Sequence, residues 1–296
     1  MIVDLARFNQ AAQTLLRAGG DGPSLGDWLA QQRFSRPFVE RLIVPQASAV
    51  WSADPHQMWS FPARFLAEFF DNHGMLSFRD RPQWRTVQGG SARYVEALLT
   101  RFSGKVFLRC PIREVSRHRE HVSVVPASGE PQRFDEVVMA THSDQALALL
   151  ADATDREHAV LGAIPYQANE AVLHTDVRML PRRRRAWASW NYHLLDSPTD
   201  RTTVTYDMNR LQSLDAERRF CVTLNRSDAI DPRHVIATIP YAHPVYTLEG
   251  MRAQQRVREI DGRDRVHFCG AYWGWGFHED GVVSALRVSE RFGARL

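Results

Sequence analysis

The apolar positions in the first quarter of the chain recur with helical spacing, and most of those beyond it come in short alternating runs. Leu5, Phe8, Ala12, Leu15 and Leu16 would share one face of a helix. Ser24 followed by Asp27 reads as an N-terminal cap for a helix over residues 25–34, where a side-chain oxygen accepts a backbone N–H that has no partner in the first turn. Pro37, Pro55 and Pro62 stand where helices would begin, the last before the apolar run at 63–70, and Gly74 would close that helix. Residues 4 to 75 are therefore expected to be helical.

From Trp84 the pattern changes. A Gly89-Gly90 turn precedes a helix starting at Ser91, and strands are expected over 106–109, 112–117, 122–125 and 134–140. Three strands and a return strand would form a small β-meander inserted into a nucleotide-binding sheet. A second set over 171–175, 186–192, 202–207, 220–224 and 235–241, with turn residues between, predicts an antiparallel sheet. A helix over 248–259 leads into a last strand, and there is no internal repeat or low-complexity tract.

Composition narrows the function classes. The 296 residues, 44% hydrophobic and 24% charged, can bury a sizeable core in one or two domains. A net charge of +3 gives no basis for nucleic-acid binding, and the basic residues are nearly all arginine, with Lys105 the only lysine. The arginine run at 182–185 reads as a solvated loop between strands; a peripheral contact with anionic lipid is the other reading. Cys110, Cys221 and Cys269 are odd in number and outside any Cys-x-x-Cys spacing, so free thiols and a reduced, cytoplasmic setting are expected. Asp4 and Arg7 interrupt any signal-peptide core, and no apolar run approaches a membrane span. His-Glu-x-x-His and Gly-x-Ser-x-Gly are absent, so no metal site of that spacing and no hydrolase of that class is expected.

The most informative stretch is 265–292, which reads as strand, aromatic glycine-rich turn and helix. A strand ending at Gly270 would admit a bulky ligand to the backbone, and the first turn of the next helix, at Glu279, Asp280 and Gly281, offers N–H groups and a positive dipole end. Order and spacing here resemble the C-terminal flavin-contacting segment of FAD-dependent amine oxidase and phytoene desaturase-like flavoproteins. The chain as a whole is similar to their bacterial branch of predicted NAD/FAD-binding amine oxidase-like proteins, in which Gly-Phe-His-Glu-Asp-Gly, here 276–281, recurs near the C-terminus. The glycine turn and helix at 84–98 and the strand over 134–141 also fit.

The resemblance implies an α/β FAD/NAD(P)-binding two-domain flavoprotein fold with an α+β substrate part, and FAD as cofactor. It implies that Glu279, Asp280, Gly281 and Val282 lie by the pyrimidine side of the flavin, Gly270 and Ala271 by the ribityl chain, Ile112 at the adenine end through its backbone, and Ala140 at the end of a buried strand near the cofactor. The implied division is a helical cap at 1–80, part of the FAD-binding domain with a β-meander at 81–150, an antiparallel substrate domain at 151–260 and the last FAD-binding strand and helix at 261–296. Such proteins open with strand, Gly-x-Gly-x-x-Gly and helix, which hold the pyrophosphate. None of Gly19-Gly20, Gly89-Gly90 or Gly274 with Gly276 has that spacing, so the chain is expected to be N-terminally truncated relative to the family, with a complementing N-terminal half as a partner.

Catalytic candidates are weaker. His278 stands before the flavin-facing turn, where it could face the ring or serve the structure. His73, beside Asp71 and Asn72, could relay a proton, although a helix C-terminus closed by Gly74 is the reading local chemistry favours. Trp187, Trp190, Tyr192 and Tyr206 could line a substrate cavity or pack a sheet. The function expected is a flavin-dependent oxidoreductase, a dehydrogenase or desaturase acting on an apolar, acyl-lipid-like small molecule; the alternative is a non-catalytic remnant or interaction module that binds no FAD.

Overall fold

Six helices fill the first hundred residues of the computed structural model, which describes residues 1–79, 82–196 and 200–294. They are α1 (Ile2–Ala18), α2 (Leu25–Gln31), α3 (Arg36–Phe38), α4 (Val44–Trp51), α5 (Ala63–Asn72) and α6 (Ala92–Arg101). The Ser24 hydroxyl caps α2 by accepting from Asp27 N–H at 3.1 Å and donating to the Asp27 carboxylate at 2.7 Å. Between α3 and α4 the chain makes a π turn at Val39–Ile43. Pro45 lies just inside α4, and its missing N–H accounts for the widened turn. Phe8 is the centre of an aromatic core, edge-on to Trp28 at 5.3 Å and close to Phe34, Phe38 and Phe70. α6 differs from the others: none of its residues is buried, and Leu98 is 67% exposed.

Next come β1 (Ile112–Arg117), β2 (Val122–Pro126), β3 (Gln132–Phe134) and β4 (Val137–Met139), then α7 (Ser143–Leu149) and α8 (Asp155–Leu161). β1, β2 and β3 form the expected antiparallel meander, with Val115 opposite Val124 and Ser123 opposite Arg133. Two sequence expectations change here. Residues 106–109 form no strand: Val106, Phe107 and Leu108 are exposed and Arg109 turns the chain with φ +55°. Alternation alone makes no strand where the backbone has no ladder partner. The run at 134–140 is split, because the chain leaves the meander after Phe134 and enters a different sheet at Val137.

The chain then builds β5 (Tyr166–His174), β6 (Trp190–Tyr192), β7 (Val204–Asp207), α9 (Met208–Leu211), β8 (Cys221–Leu224) and β9 (Val235–Pro244). The sheet order is β6-β7-β8-β5-β9. On one face Tyr192, Val204, Tyr206, Ala171 and Leu224 pack with Ala49 of α4, and Trp190 meets Tyr206 edge-on at 5.3 Å. The opposite face is polar yet buried: His174, Thr205, Asp207 and Thr223 are fully enclosed. The strand expected from 186 begins only at Trp190. Trp187 lies before it, its indole N–H donating to the Pro181 carbonyl at 2.7 Å and its ring flanked by Arg184 and Arg219.

Last come α10 (Leu248–Gln255), β10 (Val266–Phe268) and α11 (His278–Glu290). β10 runs parallel to β4, with Val266, His267 and Phe268 opposite Val137, Val138 and Met139. The chain divides into two compact units, one of residues 1–104 and 167–243, the other of 105–166 and 244–296. The core of the second unit joins Val115, Val122, Met139, Val160, Leu161, Ala253, Ile260, Val266 and Phe268. Residues 151–166 and 244–260 thus belong with the cofactor-side strands and not with the antiparallel sheet, because α8 and α10 bury their apolar faces there. The turn and helix at 89–101 fall in the first unit. Among the described residues no helix is long and apolar enough to cross a membrane.

Candidate flavin-binding edge

The parallel pair β4 and β10 ends at one edge. Cys269 N–H donates to the Met139 carbonyl at 3.0 Å, so the next residues, Ala140 and Gly270, lie side by side at the carboxyl ends of the strands. Ligands of parallel α/β sheets bind outside such ends. Burial pushes the Cys269 thiol up, so it stays protonated and is no nucleophile.

After Gly270 the chain folds into a tight aromatic turn. Gly274 and Gly276 both donate to the Ala271 carbonyl, at 3.0 and 3.1 Å, and Gly276 takes φ +91°, a conformation a side chain would strain. The Gln254 amide on α10 donates to the carbonyls of Tyr272 and Gly274, at 2.8 Å each, and so pins the turn. Gly270 itself is extended, and a Cβ there would collide with the ring of Tyr272. The close approach that this glycine permits is therefore to Tyr272, where the sequence suggested a ligand.

α11 starts beside this edge. Gly270 N–H donates to the Ser284 hydroxyl at 2.8 Å, and that hydroxyl donates to the Gly281 carbonyl at 2.8 Å, tying the strand end to the first helical turn. The Asp280 carboxylate is turned back, accepting Phe277 N–H at 2.9 Å and occupying the space a Cβ on Gly274 would need. The N-cap residue Phe277 offers no side-chain acceptor to the first-turn N–H groups of α11, and Asp280 at the third helical position reaches back to the Phe277 N–H. A Cβ built on Gly281 would meet nothing nearer than the backbone nitrogen of Ala271 at 3.9 Å, and Val282 and Glu279 are exposed beside it. A helix start whose N-cap side chain offers no acceptor, a glycine in its first turn and an exposed valine fit a planar group carrying partial negative charge.

Ile112 and Ala140 meet at a second place in the same unit. Both line a cavity of about 760 Å³ together with Val137, Val138, Met139 and Gln145. The cavity borders the free side of β4. Val137 and Met139 bond to β10, so the N–H and C=O of Val138, which is 45% exposed, point the other way by the alternation of a parallel ladder. The open edge lies on β4 and not on β10, because the 261–263 turn covers the outer side of β10: Phe268 N–H donates to Asp261 at 2.9 Å and Gly262 N–H to Val266 C=O at 2.9 Å.

The structure thus brings Gly270, Ala271, Glu279, Asp280, Gly281 and Val282 to one edge, with Ala140 beside it and Ile112 across the cavity from β4. His278 opens α11 and is exposed. His73 is in the other unit at the C-cap of α5, its Nδ1 2.7 Å from the Phe69 carbonyl and its ring 5.7 Å from that of Trp84. Gly74 follows with φ +63°, as a helix-ending glycine does. Sequence reading missed Gln254 and Ser284. Ser284 carried a signal, a polar residue three positions after Gly281 on the helix face that returns to the strand; Gln254 carried none.

The model of the family described as flavin containing amine oxidoreductase matches residues 3–181. No curated protein matches the chain. Among solved structures, cyclohexylamine oxidase from Brevibacterium oxydans IH-35A aligns at TM-score 0.64 and 14% identity over 99% of this chain and 75% of its own. Putrescine oxidase bound to putrescine aligns at 0.63 and 13% over 98% and 74%. A CLA-producing fatty acid isomerase from P. acnes aligns at 0.58 and 16% over 96% and 74%. At these identities the likeness is one of fold.

Proposed function

We propose, from the premise that this chain belongs to the flavin-containing amine oxidoreductase family, as the match over residues 3–181 establishes, that it is the substrate and flavin-ring part of an oxidoreductase for an apolar, acyl-lipid-like substrate. FAD is the cofactor of the family, and when bound it would supply two-electron redox chemistry. The observation that carries the reading is Gly281 in the first turn of α11, where a Cβ would meet nothing nearer than 3.9 Å, beside the ends of β4 and β10. Backbone N–H groups of α11 would hold the negatively polarised side of the bound flavin, and the aromatic turn would wall that edge from water. Asp280 orders the turn through Phe277 N–H. The apolar substrate class is supported by the absence of a recognisable amine-binding carboxylate cluster in the sequence and by the fatty acid isomerase among structures of like fold.

The 296 residues contain no Gly-x-Gly-x-x-Gly turn for the FAD pyrophosphate. A strand-turn-helix element, in the same polypeptide or a separate one, would complete the site, its strand pairing with the free edge at Val138 and its backbone closing the cavity at Ile112. The test is FAD titration of the 296-residue chain with and without such a segment co-expressed. A yellow protein only in its presence supports the reading. Tight stoichiometric FAD on the chain alone overturns the need for that element, and no FAD in either case favours a non-catalytic interaction module.

A further inference from the structure

The polar face of the five-stranded sheet carries a site of its own. A cavity of about 410 Å³, within the size range of small-molecule pockets, is lined by Arg178, Met179, Leu180, Arg182, His193 and Arg226, among others. Its arginines are not equivalent. Arg178 grips Asp176 with two nitrogens at 2.6 and 2.9 Å and lies 3.7 Å from Asp231. The other enclosed acid of this face, Asp207, is held by Arg210 and Arg219. Among the described residues neither Arg226 nor Arg182 has a carboxylate within salt-bridge distance.

Arg226 is half-buried, and among the described residues its guanidinium hydrogen-bonds only to His193, whose Nδ1 accepts from Nη1 at 2.7 Å. A guanidinium has no lone pair to offer, so the imidazole must be the acceptor and is neutral. This fixes the orientation of Arg226 without cancelling its charge. Its remaining N–H donors keep the planar fork that matches an oxyanion. A half-buried cation with no counter-charge is unfavourable, and an anion in the cavity would relieve it.

We propose that this cavity binds a small oxyanion, a carboxylate or a phosphate, held by the free donors of Arg226 and by Arg182, with any hydrocarbon part lying on Met179 and Leu180. The site stands on the first unit alone and does not depend on flavin binding. His193 acts as a positioning residue through Arg226.

The test titrates the 296-residue chain with sodium phosphate and, separately, with sodium butyrate at constant ionic strength, by calorimetry. Saturable binding of phosphate alone assigns the phosphate class, and of butyrate alone the carboxylate class. Arg226→Gln should weaken binding by about tenfold or more while leaving the near-ultraviolet circular dichroism unchanged. Exposed Arg182→Gln should weaken it several-fold and serves as the deciding variant if Arg226→Gln does not fold. Binding of neither anion, or unchanged affinity in the deciding variant, overturns the proposal.

Discussion

Thr205 and Thr223 face each other across β7 and β8 with their hydroxyl oxygens 2.7 Å apart, and an imidazole donates to each from the far side. His193 Nε2 is 2.8 Å from Thr205 and His174 Nε2 is 2.7 Å from Thr223. Arg226 donates to Nδ1 of His193 and the Asp176 N–H to Nδ1 of His174 at 3.1 Å, so both rings must carry their proton on Nε2. The spine is fully enclosed at its centre, where an unmatched donor costs most. Thr223→Val keeps the shape but leaves the His174 N–H without its acceptor, and should lower unfolding free energy by about 1 to 3 kcal/mol in urea. A loss within ordinary experimental error would mean that the spine adds nothing to stability.

The same spine sets a pH dependence. Burial first and the charge of Arg226 second push His193 down to about 4, and burial also lowers His174. A histidine lowered on folding is bound to fewer protons in the folded than in the unfolded chain, so its stabilising contribution is complete above the ordinary imidazole value of about 6.5 and is lost as pH falls toward 4. Urea midpoints should therefore fall between about pH 6.5 and 4, above the range where most carboxylates titrate. His193→Gln should make that slope shallower; an identical slope in the variant would exclude His193 as its source.

In the second unit the guanidinium of Arg117 joins the Glu157 carboxylate, the two side chains only 10% and 3% exposed. Glu157 also accepts from the Thr154 N–H at 2.8 Å and caps α8. Removing one partner of a buried pair strands the other charge, although Asp152, 2.8 Å from Arg117, softens the loss. Glu157→Gln should cost about 2 to 3 kcal/mol. Asp152→Asn, at the wetter end, should cost about 1 kcal/mol or less, and equal losses by chemical denaturation would refute this ranking.

Gly281 has room for a Cβ in the protein itself, which would meet Ala271 at ordinary contact distances of 3.9 and 4.0 Å. Gly281→Val should leave thermal stability near the parent value and abolish or greatly weaken FAD retention in the FAD-binding form of the protein, because the valine would fill the place proposed for the ring. Asp280→Asn should do less, as its carboxylate is engaged with Phe277 N–H. Unchanged flavin occupancy and spectrum in the valine variant would put the ring elsewhere.

α6 presents Val95, Leu98 and Leu99 to solvent, an apolar patch of the kind that favours association. Leu98→Glu should leave the urea midpoint of the chain nearly unchanged, within about 0.5 kcal/mol, while reducing self-association in sedimentation and weakening assembly with a complementing segment. A large loss of stability would show that α6 is already packed.

Local chemistry made much of this protein legible. The capped start at Ser24, the Gly89-Gly90 turn before α6, the meander strands β1 and β2 and the strand-turn-helix at the carboxyl end all follow from residue type and spacing, because caps, turns and amphipathic faces are settled within a few positions along the chain. Tertiary structure decided what depends on distant partners. Residues 106–108 have strand composition but no ladder to join, and 134–140 is divided between two sheets. Which edge of the β4–β10 pair stays open rests on Asp261, which reaches Phe268 through a turn no local pattern announces. The His193-Thr205-Thr223-His174 spine joins residues up to 49 positions apart, and only the register of β5, β6, β7 and β8 places them on one face. Side-chain alternation tells which residues share a face of one strand, whereas partnership between strands is set by the fold.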